Sequence, residues 1–135
     1  MIFLISLFVA LHVQTNNPQI KKIEELVLIE VLNSIAVEKY YQTQEFSVSI
    51  FKKANPPGSA GVPEGHEISH SYYLAISEFD EYPETSLFLV GGFYNPEMKI
   101  EEAPDIIILE IEYGAYNKRI TKKYAVGLHS VRELS

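Results

Sequence analysis

The sequence predicts an α+β domain in which one N-terminal helix packs on an antiparallel sheet of about five strands arranged as a meander. Two patterns support this fold class. Near the N-terminus, apolar residues recur at intervals of three and four, the spacing of one helix face. Further along, several stretches alternate apolar and polar residues, as half-buried strands do. No helical pattern separates those strands, so the crossovers that parallel strands need are missing and the sheet is predicted to be antiparallel.

Composition limits both the size and the partners of the chain. With 135 residues, of which 47% are hydrophobic and 21% charged, the chain suits one domain with an adequate core. The formal net charge of -7 argues against nucleic acid, whose binding depends on clustered Lys and Arg, and against an anionic membrane surface. The sequence contains no cysteine, which excludes disulfides, Cys-ligated zinc and a cysteine nucleophile.

Residues 1–15 are predicted to be a signal peptide, and residues 16–135 the single domain. The run from Ile2 to Val13 has no charged side chain. It matches the apolar core of a signal peptide and is short of the ~20 residues that span a bilayer. We therefore expect a secreted or periplasmic location, with no stable transmembrane span after signal cleavage. No Lys or Arg precedes the run and no small-residue cleavage site follows it, so a buried N-terminal strand or helix stays open as the alternative.

The helix is predicted to follow Asn16-Asn17-Pro18, because Asn caps free N–H groups and Pro is tolerated in a first helical turn. The pattern ends between Val37 and Tyr41. Val27 to Val37 is rich in β-branched residues, so its second half is also compatible with a strand. The apolar residues of the helix pattern are Ile20, Ile23, Val27, Leu28, Val31, Leu32 and Ile35.

Five later stretches are predicted to be strands, and a Pro/Gly-rich loop at Asn55–Gly65 follows the first of them. Gly91-Gly92 predicts a bend or bulge in the third strand. Ile106 to Leu109 is apolar on both sides and is predicted to lie in a central strand. The five stretches are Gln44–Lys53, His66–Asp80, Thr85–Tyr94, Ile106–Glu112 and Lys118–Val126, and Gly127–Ser135 is predicted to be a fraying tail.

The second of these stretches opens with His66-Glu67-x-x-His70, the H-E-x-x-H pattern of a zinc peptidase. That enzyme needs a helix, since only a helix brings both imidazoles to one metal with the Glu beside it as the base. Pro63 and Gly65 oppose a helix here, and the residues after His70 alternate as in a strand. On a strand the two histidines would lie about 13 Å apart, too far to share one zinc ion. The sequence therefore favours a strand and predicts no metal site.

Tyrosines are the candidate binding residues, because Tyr gives a large amphipathic contact at low entropic cost and is enriched in binding surfaces. Most of the candidates fall at predicted turns, where rings are often exposed, and one falls on the polar face of its strand. The alternative is that these rings pack in the core or at its rim. The candidates are Tyr73, Tyr82, Tyr94, Tyr113 and Tyr116.

These observations predict a small exported, non-enzymatic domain without a cofactor, which binds another macromolecule through a sheet face or the turn-borne tyrosines. We expect a protein or glycan partner. The sequence has no G-x-S-x-G motif, P-loop or dinucleotide-binding fingerprint. Two alternatives remain: a zinc-dependent hydrolase that uses His66, His70 and Glu67, and a structural component of the cell envelope.

Overall fold

Two antiparallel sheets make up the described part of the chain. The computed structural model describes residues 18–26, 28–29, 32, 39–55 and 69–135. The predicted signal peptide at 1–15 and most of the predicted Pro/Gly-rich loop lie outside these residues. The strands are β1 (Gln19–Ile23), β2 (Lys39–Gln42), β3 (Phe46–Ala54), β4 (Ser69–Glu78), β5 (Thr85–Tyr94), β6 (Glu97–Glu102), β7 (Ile107–Ala115), β8 (Lys118–Gly127) and β9 (Ser130–Leu134).

The first sheet, sheet A, has the strand order β1-β5-β4-β3-β2, and the second, sheet B, has the order β6-β7-β8-β9. Every pair of neighbouring strands is antiparallel, which confirms the predicted antiparallel pairing. The five predicted strands correspond to β3, β4, β5, β7 and β8. All five are interior strands, and the four strands that the sequence did not predict are the sheet edges.

The predicted α+β fold is wrong, because the described residues are almost all β and no helix is among the elements they form. Gln19–Ile23, where the predicted helix would begin, is β1 and pairs with β5. Ile20 packs against the core between the sheets, whereas Ile23 packs on the opposite face of sheet A. Both faces of β1 thus contact apolar residues. Two apolar residues three positions apart, such as Ile20 and Ile23, therefore fit a strand as well as a helix.

A short stretch after β1 covers part of the outer face of sheet A. Ile29 is buried there against Ala75 of β4 and Leu87 of β5. The N–H of Ile29 donates to the carbonyl oxygen of Glu25 at 3.1 Å, a helical i to i−4 hydrogen bond. Sheet A is therefore apolar on both faces at this point. Ala75 and Leu87 are buried on its outer face, while their neighbours along the strands face the core.

The main core lies between the two sheets, so the fold is a β-sandwich. Phe93 of β5 is at its centre, with its ring centroid 5.1 Å from that of Tyr113 and 6.2 Å from that of Tyr124. These edge-to-face contacts join sheet A to sheet B. The inward-facing residues are Phe46, Val48, Ile50, Tyr72, Leu74, Ile76, Phe88, Val90, Phe93, Ile107, Leu109, Ile111, Tyr113, Tyr124, Val126 and Val131.

The predicted bulge at Gly91-Gly92 is confirmed. The register between β4 and β5 shifts at this point, with His70 opposite Phe93 and Ser71 opposite Gly91, so Gly92 is the extra residue. Gly92 has a φ of 91°, which a residue with a side chain rarely adopts. A Cβ on Gly91 would collide with the side chain of Ser71, so this position also requires glycine.

Two predictions for sheet B need correction. The predicted tail forms β9, whose Val131 faces the core opposite Val126. The run Ile106 to Leu109, apolar on both sides, predicts a strand that is covered on both faces, but β7 is buried on one face only: Leu109 faces the core, whereas Ile108 is half-buried on the outer face. An antiparallel sheet tolerates such a solvated face, which parallel sheets rarely have.

The turns of the sandwich gather at two ends, each named here after a side chain that joins the two sheets. At the Arg119 end, the turn after β5 meets the β7–β8 hairpin, since Arg119 Nη1 donates to the carbonyl oxygen of Asn95 at 2.7 Å. At the His129 end, the β4–β5 turn meets the β8–β9 turn, where His129 Nε2 lies 3.1 Å from Glu84 Oε2.

Candidate functional site

The structure separates the five candidate tyrosines. Tyr113 is buried and packs edge-to-face on Phe93, so it is a core residue. Tyr73 is half-buried on the outer face of sheet A, where Lys53 Nζ lies 5.8 Å from its ring centroid. The other three are exposed, with relative accessibilities of 39% for Tyr94, 88% for Tyr82 and 95% for Tyr116. These three are the candidates whose rings are available to a partner.

The three exposed rings lie at opposite ends of the sandwich. Tyr94 ends β5 and Tyr116 is in the β7–β8 turn, so both belong to the Arg119 end. Tyr82 is in the β4–β5 turn at the His129 end, with Phe79 three residues before it. The candidates therefore do not form one cluster, and each end presents its own aromatic surface.

Arg119 fixes the two turns of its end to each other. Its Nη1 donates to the carbonyl oxygens of Asn95, at 2.7 Å, and Gly114, at 3.0 Å, and its Nη2 donates to that of Glu112 at 3.0 Å. Its Nε donates to Glu112 Oε1 at 3.2 Å, and Glu97 Oε1 lies 3.7 Å from Nη2. A guanidinium has five donors in a rigid fork, which suits this role.

Arg119 belongs to no motif by which the sequence alone would identify it. The signal that was available is its position, two residues after the reversal at Tyr116-Asn117, on the strand that returns. The sequence does not show that the turn after β5 lies within hydrogen-bonding distance of Arg119, because that contact joins two different sheets.

The turn that carries Tyr82 is stabilised by its own carboxylates. Glu84 N–H donates to Glu78 Oε1 at 2.7 Å, and Glu81 N–H donates to Asp80 Oδ1 at 2.6 Å. The N–H of Phe79 also donates to the carbonyl oxygen of Glu45, at 3.3 Å, in the neighbouring β2–β3 turn. These hydrogen bonds satisfy backbone donors that a turn would otherwise leave to water.

Phe79 is a further candidate that the sequence analysis missed. It is 54% exposed and follows directly on the last residue of β4. Together with Tyr82 it places two large rings on one hydrogen-bonded turn.

The metal-binding alternative is only partly within the described residues. His70 lies in β4, opposite Ala54 and Phe93, and so not on the helix that the H-E-x-x-H motif requires. Its Nδ1 atom is buried and has no hydrogen-bond partner in the described structure. His66 and Glu67 lie outside the described residues. Among those that are described, no group of three or more His, Asp or Glu side chains is arranged to hold a metal ion.

The outer face of sheet B is charged and internally paired. Lys123 Nζ lies 2.9 Å from Glu110 Oε2 across the β7–β8 hairpin. The hydrogen bond from Lys123 lowers the pKa of the Glu110 carboxyl, and the same contact raises the pKa of the Lys123 ammonium. The two-residue turn at Tyr116-Asn117 sets the register in which Glu110 lies opposite Lys123 and Glu112 opposite Thr121. Such exposed pairs contribute little to stability.

Comparisons of the chain with protein-family models, with curated proteins and with solved structures found no match. Among the described residues, no helix is long and apolar enough to cross a bilayer.

Proposed function

We propose that this chain is an exported β-sandwich module that contacts another macromolecule, a protein or a glycan, through aromatic side chains on its turns. The observation that carries the proposal is the near-complete exposure of Tyr82 and Tyr116, at 88% and 95%, in two turns that are hydrogen-bonded in place. Large rings exposed singly are ordinary. Rings held on ordered turns are a different case, because a partner then pays less of the entropic cost of fixing them.

The fold supports a binding role because its core and its exposed turns are formed by different residues. The core is formed by the strand residues that face one another between the two sheets. The sequence of the turns at the two ends can therefore vary without disturbing the core. Tyr is well suited to such positions, since its ring buries apolar area while its hydroxyl both donates and accepts. A protein surface and a sugar ring each offer these complementary groups.

The proposal includes export and the absence of catalysis. The uncharged apolar run at residues 1–15 supports export. His70 lies in a strand, which removes the helical geometry on which the peptidase alternative depends. We therefore propose a binding module in preference to a zinc-dependent hydrolase.

Photocross-linking from the exposed rings tests the proposal. A benzophenone amino acid replaces Tyr82 or Tyr116 in the full chain, expressed in the organism that encodes it, and Thr121, exposed on the outer face of sheet B, is the matched control. We expect a discrete adduct of higher mass from position 82 or 116 and none from 121. Mass spectrometry then identifies the adduct as protein or glycan.

A second variant guards against chance collisions. If the adduct from position 116 reflects a real contact, Tyr94→Ser at the same end should reduce its yield, and Tyr82→Ser at the other end should not. Equal adduct yields from positions 82, 116 and 121 would overturn the proposed contact, since the turns would then be no more engaged than the solvated sheet.

A further inference from the structure

We propose that the His129 end binds a cationic, arginine-rich segment of a partner protein, with Phe79 and Tyr82 as the aromatic contacts. This rests on the proposed function and adds the class of partner and the surface. Of the two ends, this one combines its exposed rings with a strongly one-sided charge. The inference thus joins two independent features, the rings and the charge.

The two ends of the sandwich differ in their charged residues. The segments that form the His129 end are 24–26, 43–45, 78–84, 102–106 and 127–130, and none of them contains Lys or Arg. They hold half of the chain's 18 acidic residues: Glu24, Glu25, Glu45, Glu78, Asp80, Glu81, Glu84, Glu102 and Asp105. The Arg119 end has charges of both signs, with Lys52, Lys53, Lys118 and Arg119 beside Glu97 and Glu112. Lys22 of β1 and Arg132 of β9 each lie two residues outside these segments, and no Lys or Arg of the chain lies within them.

Carboxylates alone would mark only a solvated surface, so the two rings among them are the decisive feature. Phe79 and Tyr82 are 54% and 88% exposed, and Pro83 beside them is exposed as well. Several exposed carboxylates surround them. An aromatic face attracts a cation placed over it, and carboxylates pair with the same cation from the side.

The surface is already ordered for such a contact. Glu78 and Asp80 accept hydrogen bonds from Glu84 N–H and Glu81 N–H, and so fix the course of the turn that carries the rings. The carboxylates of Glu81 and Asp105 are exposed and accept no hydrogen bond among those in the described structure. They are therefore available to a partner, whereas the carboxylates that cap the turn are engaged.

Arginine fits this surface better than lysine. Its guanidinium is planar, stacks on aromatic rings and pairs with a carboxylate through two parallel hydrogen bonds. Lysine is a compact, strongly hydrated charge that loses more hydration for the same contact. A chain with a net charge of -7 attracts any cation at long range, so preference for arginine over lysine is the property that distinguishes this site from diffuse attraction.

NMR titration of the 15N-labelled domain tests the inference. The probes are hexa-arginine, hexa-lysine, a Gly/Ser hexapeptide and hexa-glutamate, each added at 150 mM salt, where exposed charges more than about 8 Å apart are largely screened. We expect hexa-arginine to shift amides of residues 79–82, 84 and 129 and to bind at least about threefold more tightly than hexa-lysine. The other two peptides should leave the spectrum unchanged.

Three variants locate the contact. Phe79→Ser with Tyr82→Ser should weaken hexa-arginine binding by about fivefold or more, since each exposed ring contributes about two- to fivefold. Glu81→Gln with Asp105→Asn should weaken both cationic peptides without disturbing the turn. Tyr94→Ser with Tyr116→Ser, at the Arg119 end, should change nothing. Unaltered amide dispersion in each variant confirms that the fold is intact.

The inference is overturned if hexa-arginine shifts amides over the whole acidic surface, or if the ring variant binds it as tightly as the natural chain. Either result would show diffuse attraction only. The proposed function would survive that failure, because a photoadduct from position 82 or 116 with an uncharged protein or a glycan would still identify a turn-borne contact.

Discussion

Leu109 is the position where truncation should test the sandwich core most directly. It lies in β7, is 0% exposed, and has Ile100 and Tyr124 as its cross-strand neighbours. Leu109→Ala removes three carbon atoms, which at ~0.8 kcal/mol each amounts to about 2.4 kcal/mol of lost transfer free energy. The cavity left among the rigid neighbours adds to this, so we expect a loss of roughly 3 to 4 kcal/mol in the free energy of unfolding.

Ile108→Ala is the matched control, because it removes the same number of carbon atoms from the adjacent residue. Ile108 is half-buried on the outer face of sheet B, with Glu101 and Ala125 as its cross-strand neighbours. The atoms that this change removes are only partly buried in the folded chain, and their removal forms no enclosed cavity. We expect a loss of about 1 kcal/mol or less, part of it from the lower strand preference of Ala.

Urea unfolding followed by circular dichroism and tyrosine fluorescence measures both changes, since the chain has nine tyrosines and no tryptophan. A loss of 3 to 4 kcal/mol is a large share of the ~5–15 kcal/mol typical of a domain, so Leu109→Ala should unfold at a clearly lower urea concentration. Equal losses in the two variants would refute the one-sided burial of β7 and with it the placement of the core between the sheets.

Four further outcomes follow from single positions. Gly91→Ala should cost about 1 to 3 kcal/mol in unfolding free energy, because its Cβ would lie 2.6 Å from Ser71 Cβ, whereas Gly127→Ala, with its nearest contact at 3.5 Å, should be tolerated. Tyr124→Phe should stabilise the domain by up to about 1 kcal/mol, since its buried hydroxyl has no partner in the described structure. Burial also raises the pKa of Tyr124, so in the natural chain the unfolding free energy should fall as the pH rises above about 10, where the unfolded phenol ionises first, and it should fall less in Tyr124→Phe. Elemental analysis of the purified domain should find no stoichiometric zinc, because His70 lies in β4, and one zinc per chain that disappears in His70→Ala would contradict this.

The strands that the sequence predicted are the five interior ones, and the reason is physical. β3, β4, β5, β7 and β8 each have neighbours on both sides and one face in the core, which imposes a regular alternation of apolar and polar residues. The edge strands β1, β2, β6 and β9 are short, and much of their surface meets water. Lys and Glu are common on edges, where they discourage pairing with other chains, and they obscure the alternation there.

The helix prediction failed at a point where two periodicities coincide. Ile20 and Ile23 are three residues apart, as on a helix face, but lie on opposite faces of β1 because each face of sheet A has its own apolar cluster. A single sequence cannot show that a second cluster exists, since that cluster is completed by Ala75 and Leu87 from distant strands. Pairing with β5 then decides in favour of a strand.

The candidate site was predictable in residue type and not in placement. Tyr113 and Tyr116 are only three residues apart, yet one packs on Phe93 in the core and the other is almost fully exposed. The difference depends on where β7 ends, because Tyr113 still faces inward and Tyr116 lies past the last residue of that strand. Boundaries of this kind are the least certain part of any reading of a sequence.

The two ends of the sandwich differ in how their charged groups are used, and this difference favours the His129 end as the more selective surface. At the Arg119 end, the guanidinium donates to three backbone carbonyl oxygens and to Glu112, so its charge serves the fold and little of it faces a partner. At the His129 end, two carboxylates cap the turn, while Glu81, Asp105 and the rings of Phe79 and Tyr82 stay exposed. Charge that is not engaged within the fold is what discriminates among partners, because it attracts one sign and repels the other. We therefore expect the His129 end to exclude anionic partners.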